Sequence, residues 1–321
     1  MVAIHGRRGG GRRSARKAAR LDILDTSSAA GSTSACTSAT AGWHDAVGTI
    51  PARVRDQLRG YRPPMSTDGG GTCPAPDPGQ VRPRLGTGIR VGLCGWTVSM
   101  SRYLLEFSLL EVQHTFYQPP GDALLRKWRS NVPSGFEFTI KAWQVVTHEA
   151  NSPTYRRLKQ PLAPESRPLV GAFRLTDPVL GAWARTLECA EVLRASAVLL
   201  QCPPSFRPTP VNVERLRCFL AAVRRPDAVL LWEPRGAWPD ALLGEICHDH
   251  DLVHVVDPMQ RDTVTPDQTY FRLHGTSGSR HVHTTEELRR LRDLVADRPA
   301  AYVLFNNLPR VGDAERFVDL L

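Results

Sequence analysis

The segment Leu109-Leu-Glu-Val-Gln-His-Thr-Phe-Tyr117 reads as a buried strand, yet it carries Glu111, Gln113 and His114. A buried charge or amide is costly unless it is paired, so a strand that keeps such groups has a use for them. The same design recurs along the chain. Apolar runs end in Trp96, in Glu111 with Gln113, in Lys141, in Gln201, in Glu233 with Arg235, in Asp257, in Arg272 with His274, and in Asn306 with Asn307. Alternate residues share one face of a strand. Glu111 and Gln113, Glu233 and Arg235, and Arg272 and His274 can therefore each point the same way. His148, shortly after the third run, joins the set.

Three chemistries fit these residue types. Glu233, Asp257 and His274, together with Glu111, have the donors that hold a divalent metal. Glu111 and Glu233 can instead work as a metal-free acid and base tuned by Lys141 and Arg235. The third chemistry is capture of a phosphorylated or other anionic ligand by Arg235, Arg272 and Lys141. The loop Gly275-Thr-Ser-Gly-Ser-Arg280 then supplies backbone N–H donors, and Trp96, Trp143, Trp232 and Tyr117 stack on a sugar or base. On this reading Glu111, Lys141, Glu233, Asp257 and His274 are the catalytic candidates. Trp96, Gln113, His148, Gln201, Arg235, Arg272, Asn306 and Asn307 are the substrate-binding candidates. Each has a structural alternative. Glu233–Arg235 and Glu111–Lys141 can be ion pairs, Asp257 before Pro258 a turn residue, His274 a cap, and the aromatics filling. Cys94 and Cys202 read as small core residues rather than nucleophiles. His281 and His283 form an HxH pair, a weak metal signal in a Gly/Ser loop.

The elements that carry these ends are legible. Eight strands are predicted at 90–96, 109–116, 136–143, 197–202, 228–234, 253–258, 269–274 and 302–307. Helices are predicted at Ser101–Phe107, Gly121–Ser130, Asp177–Ala195, Val211–Val223, Pro239–Asp249, Thr285–Asp297 and Gly312–Leu321. The Asp-Pro at 177–178 suits a helix start, and Thr-Thr-Glu-Glu at 284–287 supplies an acidic first turn. Strand and helix in alternation to eight strands is the rhythm of a TIM-type (β/α)₈ barrel, whose sites lie at the C-terminal ends of the strands. One connection departs from it: Met259–Thr269 is too short for a crossover helix. A doubly wound open sheet is the alternative, disfavoured because Gly92-Leu-Cys-Gly-Trp96 is not a dinucleotide-binding turn.

The net charge of +9 over 321 residues is uneven. Residues 1–87 carry +7 and residues 88–321 only +2, so charge gives the barrel no nucleic-acid footprint. Residues 1–87 are basic, then Ser/Thr/Ala/Gly-rich, then Pro/Gly-rich. Such segments bury too little apolar surface to offset ordering entropy. They read as a disordered extension, with a short helix at 50–60 as one exception. That extension is open to three readings: an RNA-binding arm, an organellar leader, or untranslated sequence ahead of an internal start at Met65. No apolar stretch follows the early arginines, so export is not expected. No run is long enough to span a membrane. Seven scattered cysteines without a CxxC pair read as free thiols, and a cytoplasmic location is expected.

Taken together, Cys94-Gly-Trp96, Val112-Gln-His-Thr-Phe-Tyr117, Gly135-Phe-Glu-Phe-Thr-Ile-Lys141, Thr147-His148, Gln201-Cys-Pro-Pro-Ser-Phe206, Trp232-Glu-Pro-Arg235, Tyr270-Phe-Arg-Leu-His-Gly275 and Phe305-Asn-Asn307 resemble the YecE-like family, catalogued as domain of unknown function 72. The resemblance covers about 88–321 and implies a TIM-barrel-like fold. Where the family pattern has Asn, this chain has Gln113, and its first loop is short. The resemblance brings no established reaction. The expectation is an enzyme of hydrolase, lyase or isomerase type acting on a sugar, phosphoester or nucleotide-like substrate at the C-terminal rim. The competing class is a non-catalytic ligand- or RNA-binding protein that uses the same rim and the basic tail.

Overall fold

The structure, a computed structural model, describes residues 82–321. The short helix expected at 50–60, the alternative start at Met65 and nearly all of the basic extension lie outside the described residues. Eight parallel strands close a barrel in sequence order: β1 (Gly88–Cys94), β2 (Leu109–Val112), β3 (Glu137–Lys141), β4 (Ala197–Gln201), β5 (Val229–Glu233), β6 (Val253–Val256), β7 (Thr269–Leu273) and β8 (Ala300–Phe305). β8 pairs with β1 from Gly88↔Ala300 to Leu93↔Phe305, which closes the ring. The α-helices are α1 (Met100–Glu106), α2 (His114–Tyr117), α3 (Asp122–Ser130), α4 (Gln144–Thr147), α5 (Asp177–Leu193), α6 (Pro210–Ala222), α7 (Asp240–Asp249), α8 (Thr285–Ala296) and α9 (Arg310–Val318). Two 3₁₀ turns, Pro153–Arg157 and Pro164–Leu169, fill the long connection after β3.

The TIM-type barrel is therefore the observed fold. No helix connects β6 to β7, as the short connection implied. The barrel still closes, because polar side chains organise that crossover: Thr263 and Thr265 bond to the backbone of His254. One expectation changes. The second strand ends at Val112 rather than 116, and His114–Tyr117 is a helical turn. Ahead of β1, Leu85 is buried against the inner core and its N–H bonds to Gln268.

Strand alternation sorts the apolar residues into two cores. Val91, Leu93, Leu110, Val112, Phe138, Ile140, Val198, Leu200, Leu230, Trp232, Phe271, Val303 and Phe305 face the helices. Cys94, Leu109, Leu199, Leu231, Val255, Tyr270, Tyr302 and Leu304 fill the barrel. Gly92 belongs to the inner set by parity, and a Cβ there would stand 2.2 Å from the Leu109 carbonyl oxygen of β2. Gly92→Ala is expected to cost roughly 1–3 kcal/mol by forcing β1 and β2 apart, read as a lowered midpoint in a thermal melt. An unchanged melt would mean the strands part freely. Of the five cysteines among the described residues, Cys94, Cys189, Cys202 and Cys247 are buried free thiols.

Candidate active site at the C-terminal rim

One arginine organises the upper end of the barrel. Arg272 on β7 is 0 % exposed. Its Nη1 donates to Gln201 Oε1 (3.0 Å) and Glu233 Oε2 (2.5 Å), and its Nη2 donates to Glu111 Oε1 (2.8 Å). Glu111 is completed by Gln113 Nε2 on one oxygen and by the Tyr270 hydroxyl on the other (2.9 Å). The Tyr270 hydroxyl also lies 2.8 Å from Thr139 Oγ1. Glu233 Oε1 accepts from Arg235 Nε (3.0 Å) and faces His274 Nε2 (3.1 Å). Asn306 Nδ2 lies 3.0 Å from His274 Nδ1, and Arg235 Nη2 stands 3.0 Å from His274 Nε2. Burial raises the Glu233 carboxyl, but Arg272 and Arg235 outweigh it and hold the group well below the ordinary range. The same two carboxylates hold the Arg272 guanidinium protonated against its burial.

This geometry bears on the acid–base pair. Every oxygen of Glu111 and Glu233 is occupied by a donor, and both partners of Arg272 serve to compensate a buried cation. A general acid must release a proton and a general base must reach one; carboxylates clamped this way do neither easily.

Lys141 is different. It lies on the inner face of β3, two residues after Thr139, and is 3 % exposed. Its Nζ makes no hydrogen bond or ion pair; it stands 3.9 Å from the centre of the Phe116 ring. Burial and then the nearby Arg272 lower its pKa to about 7, only partly opposed by Glu111 and Glu233. Beside it, His148 is buried, with Nδ1 2.8 Å from Thr147 Oγ1. Burial, followed by Lys141 and Arg235, lowers His148 to about 3, so the imidazole is neutral.

The remaining candidates divide. Asp257 accepts from the N–H groups of Met259 (3.0 Å) and His274 (2.9 Å) and from Gln260 Nε2 (3.2 Å). Its carboxylate thus holds a turn, and no side chain of His274 meets it. Among the described residues, Glu233, Asp257 and His274 do not bring their donor atoms together as a metal-sized group. Asn307 is buried and ties the Asp313 carboxylate to the His281 carbonyl, away from the arginine network. Trp143 and Trp232 lie in the outer core and cannot stack on a ligand. Trp96 and Tyr117 do reach an open cleft.

That cleft, about 760 Å³, is lined by Cys94, Trp96, Gln113, Tyr117, Asn306 and three cations, Arg157, Lys159 and Arg310. No acidic residue lines it. Arg157 stacks 4.3 Å over Tyr117, and the buried Arg310 Nε has no hydrogen-bond partner. Sequence reading missed all three cations, because Arg157 and Lys159 sit at the end of a short 3₁₀ turn after β3 and just beyond it, and Arg310 opens a helix after β8. Tyr270 was also missed. It shares strand parity with Arg272, and that signal was sufficient to find it. The Gly275–Arg280 loop spends N–H groups on itself, with Gly278 and the following His281 bonding back to Gly275 and Gly278.

The comparisons agree with this architecture. Two solved DUF72 family proteins resemble the chain. One, from Enterococcus faecalis, is 17 % identical over 73 % of this chain and 95 % of that one, with a TM-score of 0.55. The other, from Thermotoga maritima, is 20 % identical over 72 % and 98 %, with a TM-score of 0.52. At these identities the likeness is one of fold. The comparison with curated proteins returns no match. The family model described as "Protein of unknown function DUF72" matches residues 93–321, the whole ring from within β1 to the last residue. The chain belongs to the DUF72 family.

Proposed function

We propose that the barrel is an enzyme of lyase or isomerase type acting on a small anionic, carbonyl-bearing substrate. The observation that carries this reading is Lys141: a buried amine with no carboxylate partner and a pKa lowered to about 7. About half of such an amine is uncharged at pH 7, and an uncharged lysine is a nucleophile toward carbonyl carbon or a general base. The cleft supports the substrate class. Three cations without acidic neighbours favour a phosphate or carboxylate, and Trp96 with Tyr117 suits a sugar face. Helix α2 joins the two regions, placing Phe116 against Lys141 and Tyr117 along the cleft. In the reaction, Lys141 Nζ adds to the carbonyl carbon, water leaves, and the protonated imine withdraws electrons from the neighbouring bond. Neutral His148 packs against the same Phe116 ring as Lys141.

Borohydride trapping tests this. The full chain, incubated with a panel of phosphorylated aldoses and ketoses and then reduced, is expected to gain the mass of one reduced adduct on the peptide holding Lys141. Lys141→Arg is expected to gain none while remaining folded. An adduct that persists in Lys141→Arg, or no adduct across the panel, rejects the imine. Binding of the same sugars without adduct would favour the non-catalytic reading, for which the cationic cleft alone would suffice.

A further inference from the structure

We propose that His281, His283 and Glu287 form a binding site for a divalent transition-metal ion, Zn²⁺ by preference, between the loop after β7 and the first turn of α8. One donor atom from each of the three comes within 4.8 Å of the others. His281 Nε2 and His283 Nδ1 lie 3.0 and 3.7 Å from the same Glu287 oxygen, Oε2. Bonds of about 2.0–2.2 Å to tetrahedral zinc place neighbouring ligand atoms about 3.3–3.6 Å apart, between those two values.

A second observation points into the same space. His283 is 0 % exposed, and neither of its ring nitrogens has a hydrogen-bond partner. A buried donor or acceptor left unmade costs about 1–3 kcal/mol. A metal ion at Nδ1 removes part of that cost. Capping contacts leave the site usable: Glu287 Oε2 accepts the Thr284 N–H as part of a capping box, and a carboxylate oxygen has a further lone pair for a metal.

The surroundings are built for ligation as well. Ser277 Oγ lies 2.9 Å from His281 Nδ1. With Nε2 donating to Glu287, that hydroxyl donates to Nδ1; when metal takes Nε2, the ring proton moves to Nδ1 and the hydroxyl accepts it. This is the outer contact that orients a ligating histidine. Gly275, at φ +89, lets the loop fold back, because a Cβ there would stand 2.3 Å from the Cβ of His281. Two imidazoles and one carboxylate select Zn²⁺, Co²⁺ or Ni²⁺ over Mg²⁺ and Ca²⁺, which want oxygen ligands. A fourth position is left for water or for another ligand.

Calorimetric titration of Zn²⁺ alone into the chelator-treated full chain is expected to show one site. Co²⁺ is expected to give the intense visible absorption of tetrahedral coordination. Glu287→Gln and His281→Gln, both partly exposed positions, should abolish both signals while the far-ultraviolet circular dichroism is retained. Ser277→Ala should weaken Zn²⁺ binding by about 10-fold or more. His283→Ala is informative if it folds, and the other two variants decide the matter if it does not. Absent stoichiometric binding, a weak octahedral Co²⁺ spectrum, or binding unaltered in Glu287→Gln and His281→Gln would overturn the site and leave a histidine–carboxylate latch on the helix cap.

Discussion

Arg272→Met is expected to destabilise the barrel by about 3–5 kcal/mol, the usual penalty for removing one partner of a buried ionic group. The loss is severe because total stability is only about 5–15 kcal/mol. The side chain has no exposure, and its removal strands Glu111 and Glu233 in the interior with one cation fewer. Urea denaturation at pH 7 measures the effect. The electrostatic origin has its own signature. In the native chain Arg272 is the leading opponent of the burial that raises Glu233, so in the variant that carboxyl rises and takes up a proton more readily. The penalty should therefore shrink as the pH is lowered from 7 toward 5. Adding Glu111→Gln and Glu233→Gln should recover most of the lost stability, since amides replace charges. A single variant costing under about 1 kcal/mol would show that water reaches the network.

Lys141→Met is expected to act in the opposite direction on stability while removing the proposed chemistry. The unfolded chain restores the amine to its ordinary pKa near 10.4, whereas the folded chain holds it near 7. Between those values the unfolded state binds the extra proton. This contribution to stability is complete above pH 10.4 and is lost as the pH falls toward 7. The resulting penalty at pH 7 is about 4 kcal/mol, and methionine does not incur it. The variant should therefore exceed the native chain in stability at pH 7, less the loss of the contact with Phe116, and the difference should close by about pH 10.5. Denaturation midpoints at pH 7, 9 and 10.5 check this. A gap that is constant with pH would mean that Lys141 stays charged in the folded protein, and the imine proposal would fall with it. A residue kept at such a cost to stability is more readily understood as serving reactivity than as serving the fold.

Much of this was legible in the chain. The eight strands were visible as apolar runs, and period-two parity placed Glu111, Glu233 and Arg272 on the inner face. Asp177-Pro and Thr284-Thr-Glu-Glu marked helix starts because caps are local chemistry. The division of labour among the strand ends was not legible. Pairing Arg272 with two carboxylates makes them counter-charges to a buried cation, but that depends on contacts between residues 39 and 161 positions apart. Lys141 looks like any other rim charge until its lack of a partner is known. His281 and His283 gave a weak signal because Glu287, the third ligand, sits on a helix whose acidic first turn is already explained by capping. Arg157, Lys159 and Arg310 carry no periodicity that would bring them to one cleft.

The helix-free passage from β6 to β7 has a kinetic meaning. The entropy lost on closing a loop grows with the logarithm of its length. Val256 to Thr269 is the shortest interval between paired strands, and β1 to β8 is by far the longest. Parallel pairing is ordinarily slow because contacts between distant segments are rewarded only after closure is complete. The β6–β7 pair escapes much of that cost and can nucleate locally, with the threonine bonds to His254 already within reach. The seam between β1 and β8 carries the opposite burden. Ring closure, and with it the final seating of Arg272 among its carboxylates, belongs to the late part of folding.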